Sequence, residues 1–402
     1  MRSVVAAGFA LAFALLAGGC SASAAVPSKC SSEVPPMTQT RVVQAQNALG
    51  FSLLHAVSGK DAFISPFSIA QALGVVYLGA RGATAKAFVK SSVVPPVDAS
   101  EFACASQNLR AGLPQTGTDL ALELANALWI RQGLSLKPAF VEKANAAFGA
   151  DVSSLDFGSP DALRTINSWV NQRTKGHIPT ILNSLSGAEA IVTNAIYFKA
   201  LWEEAFTPSL TGPANFMGAT ATTSVPFMNQ TETFPYYAGA GFEVVRLGYR
   251  GGRFAMYVVL PKQGTGLTME SRLGDAFATA LAHATPRRVN LHLPKLHLAY
   301  QTDLVSPLTN LGLGVAFSDG ADFSGMSETS LRISNVIHKT TLDVDEAGTT
   351  ATAATAVVMT ATARYDPTVP IVVKVDHPFF CIIRDDKTDA VLFIGAIGDV
   401  PG

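Results

Sequence analysis

The run from Asp345 to Met359, DEAGTTATAATAVVM, limits what this chain can fold into more than any other stretch of it. Between Ala347 and Ala356 every residue is Ala or Thr apart from Gly348. A loop that only has to stay in water uses Ser, Asn, Asp, Lys and Pro. A strand built into a sheet core carries large β-branched or aromatic side chains. This run does neither. It is narrow enough to slip between existing strands, β-competent through Thr and Val, and free of Pro, which breaks a ladder. Its alternation places Thr349, Ala351, Ala353, Thr355 and Val357 on one face, with Thr350, Thr352, Ala354 and Ala356 on the other. Read by itself, it is either a loop able to become a strand or a low-complexity Ala/Thr linker.

The rest of the chain can bury a large core: 48% of its 402 residues are hydrophobic and 15% charged, which is no signature of disorder. Length alone suggests two or three domains. No linker, repeat or charge run follows the N-terminus, so the reading is one large domain, with Pro35-Pro36 and Pro95-Pro96 marking loops. A formal net charge of -1 and the lack of a basic stripe give no reason to expect nucleic acid.

Enzyme signatures are missing. There is no G-x-S-x-G elbow, H-E-x-x-H, P-loop or complete G-x-G-x-x-G, and Gly312 with Gly314 form a lone G-x-G that suits a turn. His292 and His297 flank LPKL on an expected strand and read as exposed positions rather than a metal pair. The other histidines are dispersed, so no nucleophile, base and orienting group fall together. The expectation is no catalysis, no cofactor and no metal.

The N-terminus reads as an export signal, with Arg2 as its positive region and Val4 to Leu16 as an apolar run too short to span a membrane. It ends in LLAGGC, small residues directly before Cys20, which resembles a bacterial lipobox in which Cys20 carries lipid. Ala17 stands where that motif prefers Leu. The alternative is cleavage after Ala22-Ser23-Ala24, releasing a soluble protein with Ala25 first. The division is then residues 1–19 signal peptide, 20–37 flexible Ser/Ala/Pro tether, and 38–402 folded domain. Localisation follows: cell envelope or outer surface if lipidated, periplasmic or extracellular otherwise.

Export implies an oxidising compartment. With Cys20 set aside, Cys30, Cys104 and Cys381 remain, and one disulfide with one thiol left over is the simplest arithmetic. Cys381 lies inside FFCII and reads as a buried thiol. Cys30 and Cys104 lie in polar surroundings and are candidates to pair.

A coarse pass places the elements. Ser65-Pro66 starts a helix, with Ile69, Leu73, Val76 and Tyr77 as its buried stripe. Ile166, Trp169, Val170 and Arg173 sit on another helix that stops at Gly176, ahead of Pro179. Phe254 to Leu260 reads as a fully buried strand, and FFCIIR with AVLFIGAI as a hairpin across Asp385-Asp386-Lys387-Thr388-Asp389. Helices concentrate early and strands late, which is α+β rather than alternating βαβ.

Several motifs then fall in one order: FISPFSI at Phe63–Ile69, TNAIYFKALWEEAF at Thr193–Phe206, LHLPKL at Leu291–Leu296, NLGLGVAFSDGADFSGM at Asn310–Met326, SNVIHKTTLDVDEAGT at Ser334–Thr349 and VDHPFFCII at Val375–Ile383. In this order and spacing the chain resembles the serpin family, suicide inhibitors of proteases, from about Thr38 to Val400. The resemblance implies three β-sheets, about nine helices and an exposed reactive-centre loop. It implies a hinge at Glu346, Gly348, Thr349, Thr350, Ala351, Thr352, Ala353, Ala354 and Thr355. It also implies a polar shutter at Ser65, Ser68, Asn194 and His338, and a breach aromatic at Trp202. The partner it implies is a serine protease, held by a monomer as a covalent acyl-enzyme while the loop enters the central sheet.

In that family the distance from the hinge Glu to the attacked bond is nearly fixed. Counted from Glu346, it assigns Thr362 as the acyl side and Ala363 as the leaving side, which suits an elastase- or subtilisin-like pocket. The stretch ARYDPTVP from Ala363 to Pro370 is longer than the family pattern, which makes Arg364–Tyr365 the rival bond and a trypsin-like enzyme the rival target. A non-inhibitory carrier or chaperone is the other reading.

Overall fold

The computed structural model describes residues 30, 34–57, 61–114, 117–349 and 369–401. In chain order the helices among them are α1 (Pro36–Ala56), α2 (Pro66–Gly79), α3 (Gly82–Lys90), α4 (Ala99–Ala111), α5 (Pro138–Phe148), α6 (Pro160–Arg173), α7 (Leu273–His283) and the short α8 (Val305–Leu308). The strands are β1 (Asp61–Ile64), β2 (Leu120–Arg131), β3 (Asp151–Leu155), β4 (Ala190–Leu201), β5 (Gly212–Met217), β6 (Thr222–Gly239), β7 (Phe242–Gly248) and β8 (Phe254–Pro261). After them come β9 (Thr285–Pro294), β10 (Leu296–Asp303), β11 (Ile333–Val344), β12 (Gly348–Thr349), β13 (Ile371–Lys374), β14 (Phe379–Asp385) and β15 (Ala390–Ile397).

Two hydrogen-bonded sheets result. One runs β10-β11-β12-β4-β2-β3, and the other β1-β15-β14-β8-β7-β6-β9-β13 with β5 branching off β6. The α+β class stands. Two sheets appear instead of three because β6 is 18 residues long: it pairs β5, then β9, and with its last residues β7, joining what shorter strands would leave apart. Eight α-helices fall among the described residues, beside short 3-10 turns.

α2 starts where Ser65-Pro66 predicts, with the Ser65 hydroxyl accepting the Ser68 amide at 3.1 Å. It has no single buried stripe. Every residue from Pro66 to Val76 is buried, because α2 packs against β4 and β2 of the smaller sheet and β15 of the larger one. A helix enclosed on all sides reads as apolar all round, and its period carries little information. The α6 stripe fares better: Ile166 and Val170 face the sheet with Trp129, Ile191 and Ile337, and the helix ends at Arg173, three residues before Gly176 at φ 88°.

β8 is buried throughout, as its sequence predicts. β14 and β15 pair antiparallel from Phe379–Ile397 to Asp385–Ala390, and Cys381 is wholly buried between them and β8, its thiol pushed up to about 12 by burial. The hairpin turn is tied down by Asp385, which has no exposed surface. Its carboxylate accepts Arg253 Nε at 2.9 Å and Nη2 at 2.6 Å, the Lys387 amide at 3.0 Å and the Thr388 hydroxyl at 2.9 Å. Arg253→Met would strand that buried charge without its cation and should cost about 3 kcal/mol. Urea unfolding of the variant against the parent measures it, and a loss under about 1 kcal/mol would show that the turn's own donors suffice.

Candidate functional site

The smaller sheet has a seam. β11 and β4 run parallel and pair directly from Ile333–Ala190 up to Thr341–Tyr197, whereas β4 meets β2, and β11 meets β10, antiparallel. Above Tyr197 the two strands part, and β12 fills the gap, with Thr349 opposite both Ala200 and Val344 and Gly348 opposite Leu201. The segment that the sequence marks as insertable therefore begins already inside the sheet.

His338 and Asn194 face each other across the middle of the seam. The His338 Nε2 accepts the Ser65 amide at 3.1 Å, so its lone pair must be there, and the proton lies on Nδ1, which donates to Asn194 Oδ1. The Asn194 amide donates to the Ser68 carbonyl at 3.0 Å and reaches the Ser68 hydroxyl and Asn126 Oδ1. One turn of α2 thus supplies the floor of the seam, and the structure brings Ser65, Ser68, Asn194 and His338 into one contiguous cluster. Asn126, directly opposite Asn194 on β2, belongs with them. A lone Asn inside LELANALWI carries the same signal that singles out Asn194. Thr340 adds a further tie, donating to the Phe63 carbonyl at 2.6 Å.

Burial without a counter-charge lowers the His338 pKa to about 3, and a second proton would point N–H at N–H against Ser65. The ring is therefore neutral in the closed seam.

At the top of the seam, Trp202 is buried and stacked on Tyr249, ring centroids 4.6 Å apart. Its indole donates to the Asp345 carbonyl at 2.9 Å, and its amide to the Ala347 carbonyl at 2.9 Å. The Phe206 amide donates to the Glu346 carbonyl at 2.8 Å, so residues 345–347 are pinned by main-chain and indole donors from one segment. The Glu346 carboxylate takes Lys295 Nζ at 2.7 Å and the Thr211 hydroxyl at 2.7 Å. Burial alone would raise its pKa, but the Lys295 and Thr211 bonds outweigh that and hold it below the ordinary range. Gly348 is required where it stands: a Cβ there would lie 2.2 Å from the Ala200 carbonyl oxygen.

Sequence reasoning missed Tyr249, Lys295 and Thr211. Lys295 lies inside LHLPKL, but nothing local ties any of the three to Glu346 or Thr349. The remaining hinge residues Thr350, Ala351, Thr352, Ala353, Ala354 and Thr355, the bond residues Thr362, Ala363, Arg364 and Tyr365, and Cys20 lie outside the described residues. Cys30 and Cys104 are joined as a disulfide, linking the N-terminal segment to α4. His292 and His297 go to different sheets: His292 is half-buried opposite Asn229 and Lys374, and exposed His297 pairs Asp343.

Comparison with known proteins gives the class. The chain matches the serpin (serine protease inhibitor) family over residues 44–400. It is 36% identical over 355 residues to the leukocyte elastase inhibitor of Bos taurus, spanning 83% of this chain and 92% of that one. The native-state crystal structure of the thermophilic serpin tengpin superposes with a TM-score of 0.83 at 25% identity, covering 92% of this chain and 96% of that chain. Human thyroxine-binding globulin gives 0.82 at 27%, covering 92% and 100%. The chain belongs to the serpin family.

The neutral His338 makes the closed seam sensitive to acid. The unfolded chain binds this proton near pH 6.5 and the native state only near 3, so between those values the unfolded state holds more protons. Stability is fully present above 6.5 and falls as pH drops, by about 1.4 kcal/mol per unit once well below it. Between pH 7 and pH 5 the loss from this group should be about 2 kcal/mol. Urea midpoints of the parent and His338→Gln read it: the variant starts lower but should show the flatter pH profile, and parallel profiles would remove His338 as the cause.

Proposed function

We propose that this chain is an inhibitory serpin, which traps a serine protease as an acyl-enzyme by drawing the segment after Thr349 into the β4–β11 seam. One observation carries the reading: Gly348 and Thr349 already occupy the top rung of that seam, and the residues that follow, Thr350 to Ala356, are Thr and Ala only. A carrier or chaperone has no need of a run from Gly348 to Ala356 that is small, uncharged and free of Pro. The leukocyte elastase inhibitor relative supports the same side.

The protease serine attacks the carbonyl carbon of Thr362, the Thr362–Ala363 bond breaks, the amine leaves on Ala363, and Thr362 remains as an ester. About fourteen residues at ~3.3 Å each would then enter the seam and carry the protease ~45 Å. Strand addition of this kind is a known mode of recognition and of strain release. New ladder bonds at about 0.5–1.5 kcal/mol each sum to roughly 10 kcal/mol, comparable to the stability of a domain. The reading favours Thr362–Ala363, because a longer acyl-side loop would leave the protease loosely tethered.

Elastase-, subtilisin- and trypsin-like proteases are the panel. At least one of the first two should give an SDS-stable complex that releases a C-terminal fragment beginning at Ala363, identified by mass spectrometry. A fragment beginning at Tyr365 makes the target trypsin-like through Arg364, and clean cleavage with no complex sinks inhibition altogether. Thr349→Arg should turn inhibitor into substrate, since an unpaired charge would have to enter the sheet.

The chain is also read as exported and anchored through lipid on Cys20. A diacyl group with an amide-linked chain exceeds what stable membrane anchoring needs. Growth with a fatty-acid analogue should label the protein, and Cys20→Ala should abolish both label and membrane fractionation. A mature N-terminus at Ala25 would instead make it soluble.

A further inference from the structure

Thr349 is wholly buried although its side chain carries a hydroxyl. Such a group costs free energy unless it finds a partner. Its partner is the Tyr249 hydroxyl at 2.6 Å. Tyr249 stands outside the smaller sheet, in the turn after β7, where its amide donates to the Phe254 carbonyl at 2.9 Å. Its ring has no exposed surface, lies flat on Trp202 and meets Phe198 edge-on at 5.3 Å, so the hydroxyl is held at one height. Burial keeps the phenol protonated far above neutral pH, so one O–H is always available to the pair.

We propose that the Tyr249 hydroxyl is a positioning group that seats Thr349 in the top rung of the seam before any cleavage, and thereby sets how often an attacked loop is trapped rather than hydrolysed. β12 is only two residues long, and a strand that short has few ladder bonds of its own to hold it. The side-chain pair decides whether the rung stays filled. With the rung filled, the next residue adds beside a strand already in register. With it empty, the acyl-enzyme must first form that rung while water competes for the ester. The seating follows from the geometry alone; its consequence for trapping rests on the inhibitory reading.

The test uses the full chain and three variants, Tyr249→Phe, Thr349→Val and the double. Tyr249→Phe keeps the ring and its stack on Trp202 and removes only the oxygen. Hydrogen exchange of peptides covering residues 345–349 reads the seating, and the ratio of cleaved to SDS-stable inhibitor with subtilisin reads the partition. Each single variant leaves one buried hydroxyl orphaned. Each should speed hinge exchange at least tenfold and raise the cleaved-to-trapped ratio at least threefold. The double variant removes both oxygens and should be no worse than either single one. Wild-type exchange in Tyr249→Phe, or additive losses in the double variant, would overturn the proposal. Faster exchange with an unchanged ratio would overturn its link to trapping. If the parent traps no protease at all, the inhibitory reading fails, while the exchange comparison still decides the seating.

Discussion

Everything else in this structure is arranged around a parallel seam between β4 and β11 that is held at its centre by neutral polar groups. His338 and Asn194 meet there, and α2 offers Ser65 and Ser68 from below. Hydrogen bonds between uncharged groups contribute about 1 kcal/mol net each, so the seam is closed without being welded. Burial removes the option of a charged His338, because a second proton would find a donor instead of an acceptor. The same bonds that close the seam set the condition for opening it: every one must find a substitute partner.

Both faces of the seam are covered, and that shapes what can happen to it. α2 fills one side. On the other lie α6 and the chain that follows it, with Ile178, Ile181 and Leu182 packed over Ile191, Ala195 and Ile337. That strap crosses from β4 over β11, where Lys339 donates to the Thr180 carbonyl at 2.8 Å, to β10, where Gln301 donates to the Ile181 carbonyl at 3.1 Å. Asn167 on α6 grips the same two peptides, accepting from Ile181 and Leu182. A strand entering the seam has to displace this cover or pass beneath it. On the inhibitory reading we propose, an entering strand of Ala and Thr would ask for the least displacement.

Much of this was legible in the sequence because it is written locally. Ser65-Pro66 marks its helix by capping chemistry, β8 by an unbroken apolar run, and Asn194 and His338 by being polar inside apolar strands. What stayed hidden depends on partners distant in the chain. Thr349 and Tyr249 are 100 residues apart, and Lys295 reaches Glu346 from the link between β9 and β10. No spacing or composition announces such pairs. The stripe on α2 misled for a related reason, since a helix enclosed between two sheets has no solvent face to set a period. The length of β6 likewise decides how many sheets form.

The position of Gly348 closes the argument. A side chain there would collide with the β4 backbone, so only glycine lets β12 approach β4 closely enough to pair. Glycine is also the residue that loses most freedom on being ordered, and a two-residue strand beginning with it is poorly held by its backbone. The structure compensates on both sides. Before it, Glu346 is fixed by Lys295 and Thr211, and residues 345–347 by Trp202 and Phe206. After it, Thr349 is fixed by Tyr249. The hinge is thus a weak strand between two strong anchors. A short strand held on both sides in this way stays in register with β4 and β11, which is what the inhibitory reading we propose asks of the first rung.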